Sequence, residues 1–173
     1  MQQASAAPAA SVFDGREFRN ALGTFCTGVT VITTRGPEEP YGMTATSFTS
    51  VSLDPPLVLV CVISGTLGSE TISRNGVFAV NILSHRQEPL SRYFASRDRP
   101  RGAHAFREIP HRDGVTQSPI LEGVAAHVDC RVVQSFEVGD HIVFIGEVVS
   151  LGLDPEVEPL VFHQSRYRAL VED

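Results

Sequence analysis

Apolar positions recur along the chain with two different periods, and each change of period marks an element. Phe18, Ala21, Leu22 and Phe25 fall at helical spacing behind Asp14, with Glu17 three residues on. That spacing predicts an amphipathic helix opened by a capping box and ending near Gly28. VTVITT at 29–34 is rich in β-branched residues and predicts a strand. RGPEEPYG at 35–42 carries the Pro and Gly of a turn, so the next segment is expected to return as a hairpin partner. LVLVCVI at 57–63 is apolar throughout and reads as a central strand buried on both faces, set off by the preceding DPP. A short helix is expected over 67–74, capped by Ser64 or Thr66 and stopped by Asn75 and Gly76, with VFAVNIL at 77–83 as another strand.

The second half is less regular. QEPLSRYFA fits a helical turn or two, while residues 96–114 have the charge and punctuation of a long surface excursion. VAAHVDCRVV at 124–133 places Val124, Ala126, Val128, Cys130 and Val132 on one face and His127, Asp129 and Arg131 on the other, which predicts an antiparallel strand with one wet face. HIVFIGEVVSL at 141–151 is its expected hairpin partner across FEVGD, and PLVFHQSRY at 159–167 supplies a last strand. About seven strands against two or three short helices, without regular alternation, predict a mostly β barrel or sandwich rather than a doubly wound α/β fold.

Composition narrows the function. The 173 residues suit one domain, expected over 13–173 behind a disordered tail at 1–12. All 14 basic residues are arginine, against 20 carboxylates, for a net charge of −6. No basic face is concentrated for a phosphate backbone, so nucleic acid is not an expected partner. The start lacks the pattern of a secretory signal and no apolar run approaches ~20 residues, so a cytoplasmic protein without a membrane span is expected. Cys26, Cys61 and Cys130 lack C-x-x-C spacing and read as buried free thiols. The six histidines show no close metal-ligand spacing, and G-x-G-x-x-G, the P-loop, G-x-S-x-G and H-E-x-x-H are all absent, so no metal is expected.

Six of the eleven residues in GMTATSFTSVS, at 42–52, carry hydroxyls. As one strand, Thr44, Thr46, Phe48, Ser50 and Ser52 would face one way and Ala45, Ser47, Thr49 and Val51 the other. This suits a solvent-facing edge strand, or a cradle whose short side chains let a flat polyhydroxylated ligand approach the backbone.

FRNALGTFCTGVTVITT, YGMTATSFTSVSLDPPLVLVCV, FAVNIL, GDHIVFIGEVVSL and PLVFHQSRYRAL occur in the order and spacing of the short-chain flavin reductases, which the chain resembles over roughly residues 14 to 170. The resemblance implies a split β-barrel of the flavin-reductase, FMN-binding type, working as a homodimer. It implies hydride transfer from NADH or NADPH to FMN or FAD, with reduced flavin passed to a flavin-dependent monooxygenase. It further implies that Thr44, Ala45, Thr46, Ser47 and Ser52 line the flavin, that Cys61, Val62 and Ser64 continue the wall, and that the next helix offers its N-terminus near Ser69 to the phosphate. An anion there also has a local reason in the unpaired N–H groups and the helix dipole.

His141, at a strand mouth after Gly139 and Asp140, reads in isolation as a surface or hydrogen-bonding residue; the resemblance places it beside the nicotinamide. Tyr167 with Arg168 resembles the family's C-terminal Tyr-Arg pair, which implies that it closes over the flavin or nicotinamide; read alone, Tyr167 suits a core tyrosine equally, and His163 and Gln164 depart from the residues common in relatives. Arg97, Arg99 and Arg101 read as a solvated run or as a phosphate contact. Asp140 and Glu147 show no paired acid/base pattern. A protein on the same barrel that stores FMN, or uses tightly bound FMN to reduce another acceptor, is the alternative.

Overall fold

The computed structural model describes residues 12–36 and 39–170, so nearly all of the tail expected over 1–12 lies outside it. In chain order the elements are α1 (Gly15–Gly23), β1 (Thr27–Gly28), β2 (Thr30–Thr34), β3 (Tyr41–Ala45), β4 (Phe48–Leu53), β5 (Pro56–Ile63), α2 (Leu67–Asn75), β6 (Val77–Ile82), α3 (Glu88–Ala95), β7 (His111–Asp113), β8 (Pro119–Leu121), β9 (Ala126–Val138), β10 (His141–Leu153), β11 (Val161–His163) and β12 (Arg166–Arg168). The protein is mostly β, as expected.

Seven strands form one sheet in the order β3-β2-β6-β9-β10-β5-β4. β3 and β4 occupy its two opposite edges, yet only Thr46 and Ser47 separate them in sequence. Three Cα steps of 3.8 Å span at most roughly 11 Å. The sheet therefore rolls until its edges approach at this point, and the hydroxyl-rich segment is two strands, not the one expected. Its first half is the foreseen hairpin partner of β2, from Thr30↔Ala45 to Thr34↔Tyr41; its second half pairs with β5 instead.

Rolling divides the apolar residues into two cores. Inside the roll lie Ile32, Val58, Val60, Val62, Phe78, Val80, Cys130 and Phe144, closed at one end by Ile72 of α2. Outside β2 and β6 a second core joins Val29, Val31, Leu83, Phe94, Phe106, Leu121 and Leu160. α2 begins at the Thr66 cap, and Gly76 ends it in the left-handed region at φ 66°. α1 has the foreseen capping box, Asp14 accepting from the Glu17 amide at 2.7 Å while Glu17 accepts from the Asp14 amide at 3.0 Å. It stops at Gly23 rather than near Gly28, because β1 takes Thr27 and Gly28 into a pairing with β11.

Other expectations need correction. β5 is buried on one face only: Val58, Val60 and Val62 point into the roll, while Leu57, Leu59 and Cys61 are half-buried and Ile63 exposed. The polar face of β9 is partly dry, with His127 and Asp129 buried. The end of the 96–114 excursion and the residues just beyond it fold back over this face: Arg112 lies 3.4 Å from His127 Nε2, and Asp129 accepts from the Thr116 amide at 2.8 Å and from its hydroxyl. Burial, then the Arg112 charge, lower the His127 pKa below its ordinary value. The β7–β8 hairpin is pinned by fully buried Asn81, which accepts from the Leu121 amide at 2.8 Å and donates to the Val31 carbonyl at 3.1 Å. Residues 159–167 form a hairpin rather than one strand, turning at Gln164 and Ser165, both at positive φ. Of the cysteines only Cys130 is buried, its thiol pushed up to about 12 by desolvation; Cys26 is exposed and Cys61 intermediate.

Gly146 sits where the β9–β10 ladder shifts register, and a Cβ there would lie 2.6 Å from the Phe78 ring and 2.9 Å from Cys130 Cβ. Gly146→Ala is expected to destabilise the protein by about 1–3 kcal/mol through overpacking. Urea denaturation checks this; a midpoint equal to that of the parent would contradict the packing.

Candidate functional site

The roll gathers distant segments along its seam. Ser47 leaves the last bend before β4, and its hydroxyl donates to the Cys61 carbonyl at 2.7 Å and accepts from the Cys61 amide at 3.3 Å. One side chain thus locks the β3–β4 link onto β5. Directly opposed residues of antiparallel strands share a face, so the pairs Leu59↔Ile145, Cys61↔Val143 and Ile63↔His141 define an outward shelf. His141 is the diagonal neighbour of Cys61, at roughly 7–8 Å between backbones. The shelf is apolar and half-open, bordered by the Ser47 and Thr49 hydroxyls on one side and the His141 imidazole on the other.

β3 forms the second wall. It pairs only with β2, so its other edge presents free peptide groups toward the seam. Thr44 donates to the Ser91 carbonyl at 2.6 Å, and the Ser91 and Tyr167 hydroxyls are hydrogen-bonded at 2.9 Å. Arg92 stacks on the Tyr167 ring, its guanidinium carbon 4.8 Å from the centroid. Thr44 and Tyr167, 123 positions apart in the numbering, are thus tied through α3. Ser91 and Arg92 were not singled out from the sequence. The available signal was Ser91 itself, a hydroxyl three residues before Phe94 on the buried face of a short helix.

His141 pairs with its neighbour, Nδ1 lying 2.7 Å from Asp140 Oδ1. Its hydrogen bond, then its charge, lower the Asp140 pKa. With Nδ1–H turned to that carboxylate, Nε2 is the ring nitrogen left to meet a ligand.

The remaining candidates separate. Ser64 closes the shelf, its amide donating to the Asp140 carbonyl at 2.9 Å and its hydroxyl to Glu137 at 2.6 Å. The Val62 side chain points into the core, leaving its backbone for any ligand. Ser69 is fully buried, and its hydroxyl donates to the Thr66 carbonyl at 2.9 Å within the α2 cap, so that terminus offers peptide groups rather than the serine. Ser52 pairs with Leu57 at the far end of β4, roughly 13 Å along the strand from Phe48. Ala45 faces the inner core, and Thr46 lies in the bend between the edges. Glu147 sits opposite Leu57, two pairs beyond Ile145. His163 pairs with Arg166, Gln164 donates its amide to the Gly23 carbonyl at 2.8 Å, and Arg168 is exposed opposite Val161. Arg97, Arg99 and Arg101 line a cavity with Tyr41, Gly42 and Leu67, at the other end of β3.

Residues 22–171 match the family described as flavin reductase like domain. The chain is 39% identical to the NADH-dependent FAD reductase of Streptomyces globisporus, over 96% of this chain and 93% of that one. It is 40% identical to the flavin-dependent monooxygenase reductase subunit HsaB of Rhodococcus jostii, over 96% and 84%. Among solved structures it superposes with a TM-score of 0.86 and 35% identity on BorF, the flavin reductase component of a bacterial two-component tryptophan halogenase, covering 92% of this chain and all of that one.

Removing the Ser47 hydroxyl leaves the Cys61 peptide without its partner at the seam. Ser47→Ala is expected to destabilise the protein by about 1 kcal/mol and to speed amide exchange at Cys61. Hydrogen exchange followed by mass spectrometry reads this, and unchanged protection at Cys61 would show that the link is not held by Ser47.

Proposed function

The chain belongs to the flavin reductase-like family, and from that premise we propose that it uses NADH or NADPH to reduce FMN or FAD, supplying reduced flavin to a partner monooxygenase. NADH is the favoured donor, because the relatives named for a donor are NADH-dependent. The observation that carries the proposal is the convergence of Ser47, Cys61 and His141 on one open shelf along the seam.

The residues fit the two ligands. Leu59, Cys61, Val143 and Ile145 offer a flat apolar surface for a tricyclic ring, while the Ser47 border and the free edge of β3 offer hydrogen bonds to its polar rim. Flavin, when bound, supplies a ring that accepts hydride directly from the dihydronicotinamide, so no protein nucleophile is required. The protein's part is to hold two rings face to face at near-attack distance. Ser47 fixes the seam on one side of the shelf. His141, oriented by Asp140, presents Nε2 on the other side, where it orients the nicotinamide. The tie from Thr44 through Ser91 to Tyr167 holds the β3 wall against α3.

The edges of β3 and β4 approach without pairing, which supports a split β-barrel of the flavin-reductase type. A homodimer is also part of this reading. In the single chain α1 buries none of its residues, with Phe18 49% and Leu22 57% exposed; Phe25, just beyond the helix, is 75% exposed, and the outer face adds Ile63, Phe136 and Val138. An amphipathic helix with a bare apolar face calls for a cover, and a second copy supplies one by two-fold symmetry. Among the described residues no helix is long and apolar enough to cross a membrane, which is consistent with the cytoplasm as the place of action.

Anaerobic mixing of protein, flavin and NADH is expected to bleach the flavin far faster than a protein-free blank; an equal rate would end the proposal. His141→Ala is expected to lower kcat/KM for NADH on the order of tenfold, about 1.4 kcal/mol, while flavin affinity stays. Unchanged kinetics would remove His141 from the nicotinamide site. Light scattering at micromolar concentration is expected to give a dimer and, for Phe18→Asp with Leu22→Asp, a monomer; a monomeric parent would overturn the assembly.

A further inference from the structure

The loop after α3 carries three arginines into one small cavity. Arg97, Arg99 and Arg101 line it together with Tyr41, Gly42, Leu67, Pro100 and Gly102, and its volume is about 190 Å³. None of its lining residues is a carboxylate, in a chain whose net charge is −6. The three arginines hold different stations. Arg99 is structural: it donates to the Gly42 and Ser96 carbonyls and lies over the Tyr41 ring, 5.5 Å from the centroid. Arg97 and Arg101, by contrast, make no hydrogen bond or ion pair among the described residues. The loop is bent at Gly102, which adopts φ 58° and packs so closely on Glu39 that a Cβ would meet that carboxylate. Glu39 lines the adjoining cavity, which it shares with Arg101 and Gly102, and Asp98 lies between Arg97 and Arg99 in the loop, but neither acid lines the basic cavity itself.

Two guanidinium forks left open beside a third that is anchored form a site for an anion with more than one charge. The cavity opens at Tyr41 and Gly42, on the β3 strand whose other end leads to Thr46 and Ser47 at the shelf. A ligand seated on the shelf and running along the free edge of β3 would bring its tail to the arginines. Resting on the flavin-reductase reading, we propose that Arg97 and Arg101 hold the diphosphate of FAD and make the enzyme prefer FAD to FMN.

The test compares riboflavin, FMN and FAD with the parent protein, Arg97→Gln, Arg101→Gln and the double variant. Binding is read by flavin fluorescence and turnover by NADH oxidation. Both side chains are exposed and, among the described residues, unpartnered, so the variants are expected to fold, and thermal melting verifies this. Each single change is expected to weaken FAD binding on the order of tenfold, and the double change more, with the parent losing FAD affinity as salt rises. Riboflavin, which has no phosphate, is expected to bind all four proteins equally. An unchanged FAD affinity, an equal loss for FMN, or a loss confined to the KM for NADH would each overturn the assignment. A parent that binds FAD by this measure but reduces no flavin would contradict the reductase reading while leaving the anion site standing.

Discussion

Two residues joining opposite edges of a seven-stranded sheet are the constraint on which the molecule turns. Thr46 and Ser47 cannot span a flat sheet of that width, so the sheet must roll, and rolling creates an inner core, an outer shelf and a seam between two unpaired edges. Ser47 then bonds both peptide groups of Cys61, so the seam is held by the residue that makes it necessary. Short side chains suit this place because the backbones come close and their polar groups need partners.

The polar groups buried away from the seam serve the same end. Thr30, Thr33 and Thr34 on β2 donate to the Ala45, Pro119 and Val77 carbonyls, and Asn81 and Asp129 fasten the β7–β8 region over the sheet. That layer lets β2 be buried along its whole length and packs Leu121 into the outer core with Phe94 of α3. α3 in turn sets Ser91 between Thr44 and Tyr167. An acidic chain can therefore carry a basic cavity: its three arginines lie on a loop whose middle one, Arg99, is tied to β3.

Strands showed in the sequence where the period of two was clean. β2, β6, β9 and β10 follow from their alternation or β-branched runs, and α2 from Thr66 and Gly76, because caps and periodicity are local properties. The errors share one origin. β5 reads as buried on both faces because leucine, cysteine and isoleucine say nothing of whether a ligand or a partner covers them. His127 and Asp129 read as wet because the segment that covers them lies elsewhere in the sequence. The 42–52 stretch reads as one strand because alternation continues through Thr46 and Ser47, while the break is imposed by the two edges they must join.

By itself, then, the sequence determined most element types, the capping box of α1, the absence of the common nucleotide and hydrolase motifs, and, through five ordered blocks, a likeness to flavin reductases. Tertiary structure alone decided that Ser47 meets Cys61, that Cys61 is diagonal to His141, that Thr44 reaches Tyr167 through Ser91, and that three arginines share one cavity. The physical reason is that hydrophobic period and capping are encoded within a few residues, whereas a site is defined by distances between segments, and those distances exist only once the sheet has rolled.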